Sequence, residues 1–121
     1  MNNIQIINFS EERRESIKTL NYEWLEKYFR VEEGDIKSLS NPQTEIIDKG
    51  GFIFYAKLND VIIGTASLLK KSDLVYEIGK MAVTESAQGL GIGKLLLEHC
   101  IQVAKQKGIH KLILYHSCPN K

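Results

Sequence analysis

The residues that most clearly indicate a chemical function form one glycine-rich segment, Gln88-Gly89-Leu90-Gly91-Ile92-Gly93-Lys94. It lies between a strand-like run, Tyr76 to Val83, and a long segment with helical apolar spacing. Glycine at every second position is costly in a regular element, because glycine loses extra backbone entropy on ordering. At a strand-to-helix turn, however, free N–H groups and the positive end of the helix dipole attract a phosphate group. The segment therefore predicts a phosphate-binding turn.

Two common phosphate-binding loops do not fit this segment. A Walker loop has four residues between its first glycine and its Gly-Lys pair, and Ser or Thr follows that pair. Counting back from Gly93-Lys94 places Gln88 at the position of the first glycine, and Leu95 stands where the hydroxyl belongs. A dinucleotide-binding fingerprint also fails, because it lacks its third glycine whether it starts at Gly89 or at Gly91.

The order of elements around the segment resembles the GNAT family of N-acetyltransferases, which bind acetyl-CoA. Gln-x-x-Gly-x-Gly after a strand and at the start of a helix resembles the pyrophosphate loop of that family. The run Glu77 to Val83 resembles its fourth strand, which ends in a Met/Leu-x-Val pattern. Lys111 to Tyr115, after the long helix, resembles its fifth strand. The resemblance covers residues 4 to 117, and residues 76 to 115 carry its specific part.

The resemblance implies an α/β (α+β) fold, with a mixed, mostly antiparallel central sheet flanked by helices. Residues 1–121 would form one domain of this kind, short of the family's C-terminal strands. The apolar patterning predicts the individual elements. These are a strand at 4–8, a helix from about 10 to 30, short helical pieces at 36–39 and 45–48, an antiparallel meander of strands at 52–58, 61–70 and 74–83, a helix at 91–107, and a parallel strand at 111–115.

The helix predicted at 91–107 has one polar and one apolar side. Its polar row is formed by Lys94, Glu98, Gln102 and Lys105. Its core-facing side is predicted to be formed by Ile92, Leu95, Leu96, Cys100 and Val103. Cys100 is accordingly interpreted as a packing residue and not as a reactive thiol, and His99, at the border of the two sides, is interpreted in the same way.

The resemblance also implies how the cofactor is held. In the family the fourth and fifth strands diverge, and the pantetheine arm lies between them. The Met81 N–H would then face the thioester carbonyl, and Val83 would pair with the pantetheine amides. The residues implied to bind acetyl-CoA are Met81, Ala82, Val83, Gln88, Gly89, Leu90, Gly91, Ile92, Gly93 and Lys94.

Glu77 is the candidate general base, because it precedes Gln88 by eleven positions, as the base does in histone-type members of the family. On a regular strand Glu77, Gly79 and Met81 share one face. Four residues at about 3.3 Å each would put Glu77 about 13 Å from the acetyl group. Unless a bulge shortens this distance, a water relay is needed, and Gly79 is the candidate position for a bulge. The alternative interpretation is a surface glutamate paired with a nearby lysine.

The C-terminal part of the chain departs from the family pattern. In the family a helix after the fifth strand commonly carries a tyrosine that protonates the departing thiolate, and two more strands follow. Tyr115 is the nearest phenol in this sequence and is the general-acid candidate. An apolar strand at 111–115 without further neighbours would expose unpaired N–H and C=O groups, which favours a homodimer through this region.

Composition excludes several classes of function. Sixteen basic and fifteen acidic residues leave a net charge of +1, so the global charge does not indicate nucleic acid or a membrane surface as a partner. The apolar runs are far shorter than a bilayer span, and the N-terminus has no secretory pattern. Two cysteines and three histidines show no metal-ligand spacing. The sequence therefore predicts a cytoplasmic protein without a metal.

Two hypotheses about function remain open at this point. The first is an N-acetyltransferase that moves the acetyl group of acetyl-CoA directly to a primary amine of an unidentified acceptor. The second is a non-catalytic module for acyl-CoA binding or interaction that has lost the C-terminal half of the active site. A nucleotide-hydrolysing phosphate loop is disfavoured by Gln88 and Leu95.

Overall fold

Five β-strands and three α-helices form the part of the chain described by the structure, a computed structural model that describes residues 4–28 and 33–114. The strands are β1 (Ile4–Asn8), β2 (Phe52–Leu58), β3 (Val61–Lys70), β4 (Val75–Val83) and β5 (Lys111–Leu114). The helices are α1 (Arg14–Tyr28), α2 (Glu33–Ser40) and α3 (Ile92–Gln106). Short helical turns lie at Glu11–Arg13, Gln43–Ile47 and Glu85–Ala87.

The strands form one sheet in the order β1-β2-β3-β4-β5. The first three pairings are antiparallel, and β5 joins β4 in parallel through the crossover helix α3. At the β2–β3 reversal, Asn59 and Asp60 have φ values of 50° and 71°, as a tight primed hairpin turn requires. The mixed sheet, its meander and the parallel last strand are thus confirmed.

The predicted boundaries differ from the observed ones in a few places. The helix expected from residue 10 opens with the tight turn Glu11–Arg13 before α1 begins. The piece expected at 45–48 is a wider helical turn at Gln43–Ile47. Tyr115 lies outside the described residues, and so do the residues that follow it. The pairing of a second chain with β5 therefore stays a prediction.

Two apolar cores lie on opposite faces of the sheet. The α3-side core consists of Phe54, Ala56, Ile63, Ala66, Leu68, Tyr76, Ile78, Ala87, Ile92, Leu96 and Cys100. The α1-side core consists of Ile17, Leu39, Ile46, Ile53 and Tyr55. Because helices cover both faces of the sheet, all residues of β3 from Ile63 to Leu68 are buried.

The buried stripe of α3 differs from the prediction at Leu95 and at Ala104. Ile92, Leu96, Cys100 and Ala104 are buried at a spacing of four residues. Leu95, predicted to face the core, is 40% exposed. At about 100° per residue, residues four positions apart lie about 40° apart around the helix axis. The line of buried residues therefore turns gradually in one direction around α3, and Leu95 lies on the opposite side of its starting point, Ile92.

A β-bulge interrupts β4 close to the glycine-rich turn. Ser67 of β3 pairs with Gly79 and Thr65 pairs with Ala82, so two residues of β4 oppose the single β3 residue between those pairs. One of the two is Lys80, whose φ of 50° lies in the left-handed region. The bulge therefore lies at Lys80, one residue beyond the position predicted for it.

The bulge changes which side chains of β4 share a face. Tyr76 and Ile78 belong to the α3-side core, and Met81 and Val83, beyond the bulge, pack against the same core. Glu77 pairs instead with a β3 residue, Leu69, that packs against the α1-side core. The prediction that Glu77 and Met81 share a face is therefore wrong, because the extra residue shifts the alternation of the strand.

Candidate cofactor-binding site

The turn between β4 and α3 contains two glycines in the left-handed region. The φ values of Gly89 and Gly91 are 92° and 77°, and Gly91 is the N-cap of α3. A Cβ atom added at either glycine would meet no other atom within 4 Å. The conformation of the main chain, and not crowding, thus requires glycine at these positions. The space beside this turn is open to a ligand.

The first turn of α3 presents main-chain donors toward that space. The first α-helical bond joins the Leu95 N–H to the Gly91 carbonyl at 3.1 Å. The N–H groups of Ile92, Gly93 and Lys94 therefore have no partner within the helix. This helix carries no acidic residue in its first turn, and the Lys94 side chain is exposed. The helix dipole, the three N–H groups and the ammonium group together favour an anion here.

The side chain of Gln88 ties the turn back to β4. Its Nε2 atom donates a hydrogen bond to the Val83 carbonyl at 3.3 Å. Just before it, Ala87 is buried in the α3-side core. The start of the glycine-rich turn is therefore held on one side by apolar packing and on the other by a polar contact with the strand. The sequence singled out Gln88 without predicting this contact.

The end of β4 has an edge that faces away from β3. Thr84 donates its N–H to the Ile63 carbonyl at 2.9 Å. In an antiparallel ladder hydrogen-bonded pairs alternate with non-hydrogen-bonded ones, so the N–H and C=O groups of Val83 point to the other edge. The pairing of the described part of β5 with β4 ends at Ile78. Met81 to Val83 lie beyond that end.

Glu77 forms an ion pair with a lysine. Its Oε1 atom lies 3.0 Å from Nζ of Lys71, and the Glu77 side chain is 17% exposed. The pairing expected under the alternative interpretation is therefore present. Since a paired carboxylate can still accept a proton, the role of Glu77 as a base stays a prediction.

Two polar residues of α1, neither of which the sequence analysis identified, also contact the β4 region. Asn21 is only 6% exposed, and its Nδ2 atom donates to the carbonyls of Ile17, at 2.9 Å, and Lys80, at 3.1 Å. Glu23 accepts hydrogen bonds from the Thr84 hydroxyl at 3.0 Å and from the Glu85 N–H at 2.7 Å. The sequence shows an asparagine at position 21 next to the apolar Leu20, and both are buried in the structure. That pattern does not indicate which group Asn21 binds.

The remaining candidates for reactivity are packing residues. The His99 ring meets the Phe54 ring edge-on, with 4.6 Å between the centroids, and burial lowers the pKa of His99. Cys100 is fully buried, and burial raises the pKa of its thiol to about 12. Both interpretations as packing residues are confirmed.

Neither a metal-binding cluster nor a membrane-spanning helix is present among residues 4–28 and 33–114. Within these ranges, no cluster of three or more His, Cys, Asp or Glu side chains is arranged to hold a metal ion. None of the helices described there is long and apolar enough to cross a membrane.

Comparison with known proteins identifies the family. A sequence profile of the acetyltransferase (GNAT) family matches residues 15–121. The chain belongs to this family. It is 33% identical over 99 residues to YvbK of Bacillus subtilis (strain 168), which is described as an uncharacterized N-acetyltransferase. That match covers 69% of this chain and 64% of YvbK, so the chain spans somewhat less than two thirds of this curated relative.

Solved structures show the same fold. A GNAT-family acetyltransferase from Staphylococcus aureus Mu50 superposes with a TM-score of 0.83 at 24% identity, over 93% of this chain and 72% of the other. The PaiA N-acetyltransferase of Thermoplasma acidophilum, solved in complex with coenzyme A, superposes with a TM-score of 0.72 at 23% identity, over 94% and 79%. The fold of the described residues is therefore the GNAT fold that the resemblance implied.

Within the GNAT fold, the residues implied to bind acetyl-CoA lie close together. Met81 to Val83 form the end of β4, and Gln88 to Lys94 follow after one short turn. The Gln88–Val83 contact joins the two segments directly. Glu77 lies on the other face of the strand, and Tyr115 lies outside the described residues.

Proposed function

We propose that this protein is an acetyl-CoA-dependent N-acetyltransferase that transfers the acetyl group directly to a primary amine. The observation that carries the proposal is the turn at Gln88–Lys94, with its two left-handed glycines at the open N-terminus of α3. Membership of the GNAT family and the outward-facing edge of β4 support it. These features match the anionic end and the amide-bearing arm of one ligand.

The residues of the turn and the strand have separate tasks in this proposal. The N–H groups from Gln88 to Gly93 bind the pyrophosphate, and Lys94 adds a positive charge beside it. The outward N–H and C=O groups of Val83 bind the pantetheine amides as a neighbouring strand would, the carbonyl through the lone pair that is not used by Gln88. Ala82 pairs with β3 and keeps Val83 in this register.

The transfer step requires a polarised carbonyl and a path for one proton. Acetyl-CoA supplies a thioester carbonyl, which the lone pair of the acceptor amine attacks as the C–S bond breaks. The Met81 N–H donates to the carbonyl oxygen, where negative charge develops. The segments that hold the two substrates contribute by positioning them.

Proton transfer is assigned to Glu77 and Tyr115. Glu77 accepts the proton that the amine loses, and Tyr115 is the candidate that protonates the departing thiolate. Glu77 precedes Met81 by four positions in the sequence, and in this proposal a water molecule relays the proton between the amine and Glu77. The Lys71 ammonium group lies 3.0 Å from the Glu77 carboxylate and is the positive charge beside the candidate base.

Two measurements test the proposed function in sequence. At about 100 times its dissociation constant, acetyl-CoA should raise the free energy of unfolding by about 2.7 kcal/mol. Release of the coenzyme A thiol should then depend on added primary amines, with the reaction lacking amine as the control. Absence of stabilisation would overturn the proposal. Stabilisation without amine-dependent thiol release would favour the non-catalytic binding module instead.

A further inference from the structure

Helix α1 makes contacts on both sides of the segment Met81–Val83, which we assign to the acetyl end of the cofactor. Asn21 donates to the Lys80 carbonyl immediately before Met81–Val83, and Glu23 accepts from Thr84 and Glu85 immediately after it. We propose that Asn21 and Glu23 are positioning residues that fix the main chain of Met81–Val83 for acetyl-CoA. The inference rests on the proposed function of that segment and adds the elements that hold it.

Asn21 holds the bulge at the first end of the segment. Both hydrogens of its amide nitrogen are used, one by the Ile17 carbonyl of its own helix and one by the Lys80 carbonyl. A buried amide is costly unless it is hydrogen-bonded, so both contacts are strongly favoured. The contact within α1 fixes the Asn21 side chain, and the side chain in turn fixes the carbonyl of the bulge.

The backbone of Lys80 is the part of β4 that most needs such support. A non-glycine residue with a φ of 50° is held in a sparsely populated conformation. Conformations of this kind persist where the surrounding contacts over-determine them. The Asn21 amide is one contact of this type, and it comes from outside the sheet. Without it the extra residue of the bulge has more freedom to shift along β4.

Glu23 holds the other end of the segment. The helical turn Glu85–Ala87 starts at Thr84, whose side chain makes no capping bond within the turn. The Glu23 carboxylate supplies the missing acceptor, since it binds the Glu85 N–H at 2.7 Å. A negative charge at the start of a helical turn is also favoured by the direction of its peptide dipoles. A residue of α1 thereby caps a turn that is distant in sequence.

The two contacts together fix the segment before a ligand arrives. Met81–Val83 are only three residues long, and both their flanks are attached to the same helix. A segment that is ordered in its bound conformation loses less entropy on binding, so the affinity is higher. Loss of either contact should therefore weaken acetyl-CoA binding without removing any group that touches the ligand.

The experiment compares two contact variants with two matched controls. Asn21→Leu keeps the size of the side chain and removes the donor, and Glu23→Ala removes the acceptor. Leu39→Ala is the control for lost stability, because it removes a buried side chain of α2 in the α1-side core. Glu26→Ala is the control for lost charge, because Glu26 is an exposed glutamate of α1, as Glu23 is. The dissociation constant of acetyl-CoA is measured by calorimetry below the unfolding temperature of every variant. Amide hydrogen exchange of residues 80–85 is measured in the free protein.

Asn21→Leu and Glu23→Ala should each weaken acetyl-CoA binding by about tenfold and speed exchange at residues 80–85. Leu39→Ala should lower the unfolding temperature yet keep the wild-type affinity, and Glu26→Ala should change neither. Wild-type affinity in both contact variants, or unchanged exchange, would overturn the proposal. An equal loss of affinity in Leu39→Ala would also overturn it, since stability alone would then explain the effect. If the wild-type protein binds no acetyl-CoA, the proposed function fails, and the exchange of residues 80–85 still shows whether α1 fixes this main chain.

Discussion

Glu77 and Met81 lie on opposite faces of β4 although only four positions separate them in the sequence. A regular strand would place both on one face, and the extra residue at Lys80 prevents it. The candidate base Glu77 thus lies on the face of the sheet that α1 covers, and the Met81 side chain lies on the face that α3 covers. The bulge therefore places the side chain of the candidate base and that of Met81 on opposite faces of a single strand.

Replacement of Glu77 tests this separation. If Glu77 acts through a relay on the α1 face, Glu77→Gln should lower the turnover rate by about a hundredfold or more and leave the affinity for acetyl-CoA unchanged. The pH dependence of turnover should change as well. Glu98→Gln, at an exposed position of α3, is the control. A variant of Glu77 that keeps both the rate and the pH profile of the wild type would show that Glu77 is not the base.

Two glycines of the glycine-rich turn should respond differently to replacement by alanine. Gly91 has a φ of 77°, so Gly91→Ala should destabilise the free protein by about 1–2 kcal/mol. Gly93 lies inside α3 and has open space around it, so Gly93→Ala should stabilise the free protein by about 0.5–1 kcal/mol. Both should weaken acetyl-CoA binding, the second because a methyl group occupies ligand space. Urea unfolding and calorimetry measure the two effects. Unchanged affinity in Gly93→Ala would place the pyrophosphate elsewhere.

Two adjacent leucines of α3 test which side of the helix is buried. Leu96 is fully buried, so Leu96→Ala should lower the free energy of unfolding by about 2–5 kcal/mol. Leu95 is 40% exposed, and Leu95→Ala should cost less than about 1 kcal/mol. Denaturant unfolding of both variants measures the contrast. Equal losses would mean that α3 is rotated relative to the sheet.

His99 should make stability depend on pH in the acidic range. Burial lowers the pKa of His99 from its ordinary value of 6.5, so a protonated imidazole favours the unfolded chain. The contribution of the neutral His99 side chain to the free energy of unfolding is complete above pH 6.5. It is lost as the pH falls from 6.5 through the lower pKa that His99 has in the folded state. His99→Gln should reduce this loss, because the variant has no imidazole to protonate at this position. Urea unfolding between about pH 5 and pH 8 measures it. Equal pH slopes in the His99 variant and the wild type would contradict this assignment.

Local patterns in the sequence predicted most of the fold. The apolar runs of β2 and β3, the Asn59-Asp60 reversal and the glycine spacing are each patterns of a few residues, so the sequence shows them directly. The position of the bulge was missed by one residue, because glycine is the expected occupant of a left-handed position and the structure places Lys80 there. Leu95 was misplaced because periodicity alone does not fix the drift of a buried stripe.

The contacts of Asn21 and Glu23 could not be predicted in the same way. Each joins α1 to a point in or just after β4, and no local pattern pairs residues so far apart in the chain. An asparagine or glutamate on a helix is ordinary in itself, and only the folded arrangement shows what it binds. The part of the candidate site that supports the ligand-binding segments therefore depended on the structure.

The wide separation in sequence between the residues of these contacts has a consequence for how the candidate site forms during folding. Asn21 bonds to a residue 59 positions later, and Glu23 to one 62 positions later. Contacts of such wide separation must wait for the chain between them to be ordered. During synthesis the residues of α1 emerge before those of β4, so they are already outside the ribosome when the strand emerges. A fragment that begins after α1 would keep every residue of the glycine motif and lack the partner that shapes its strand.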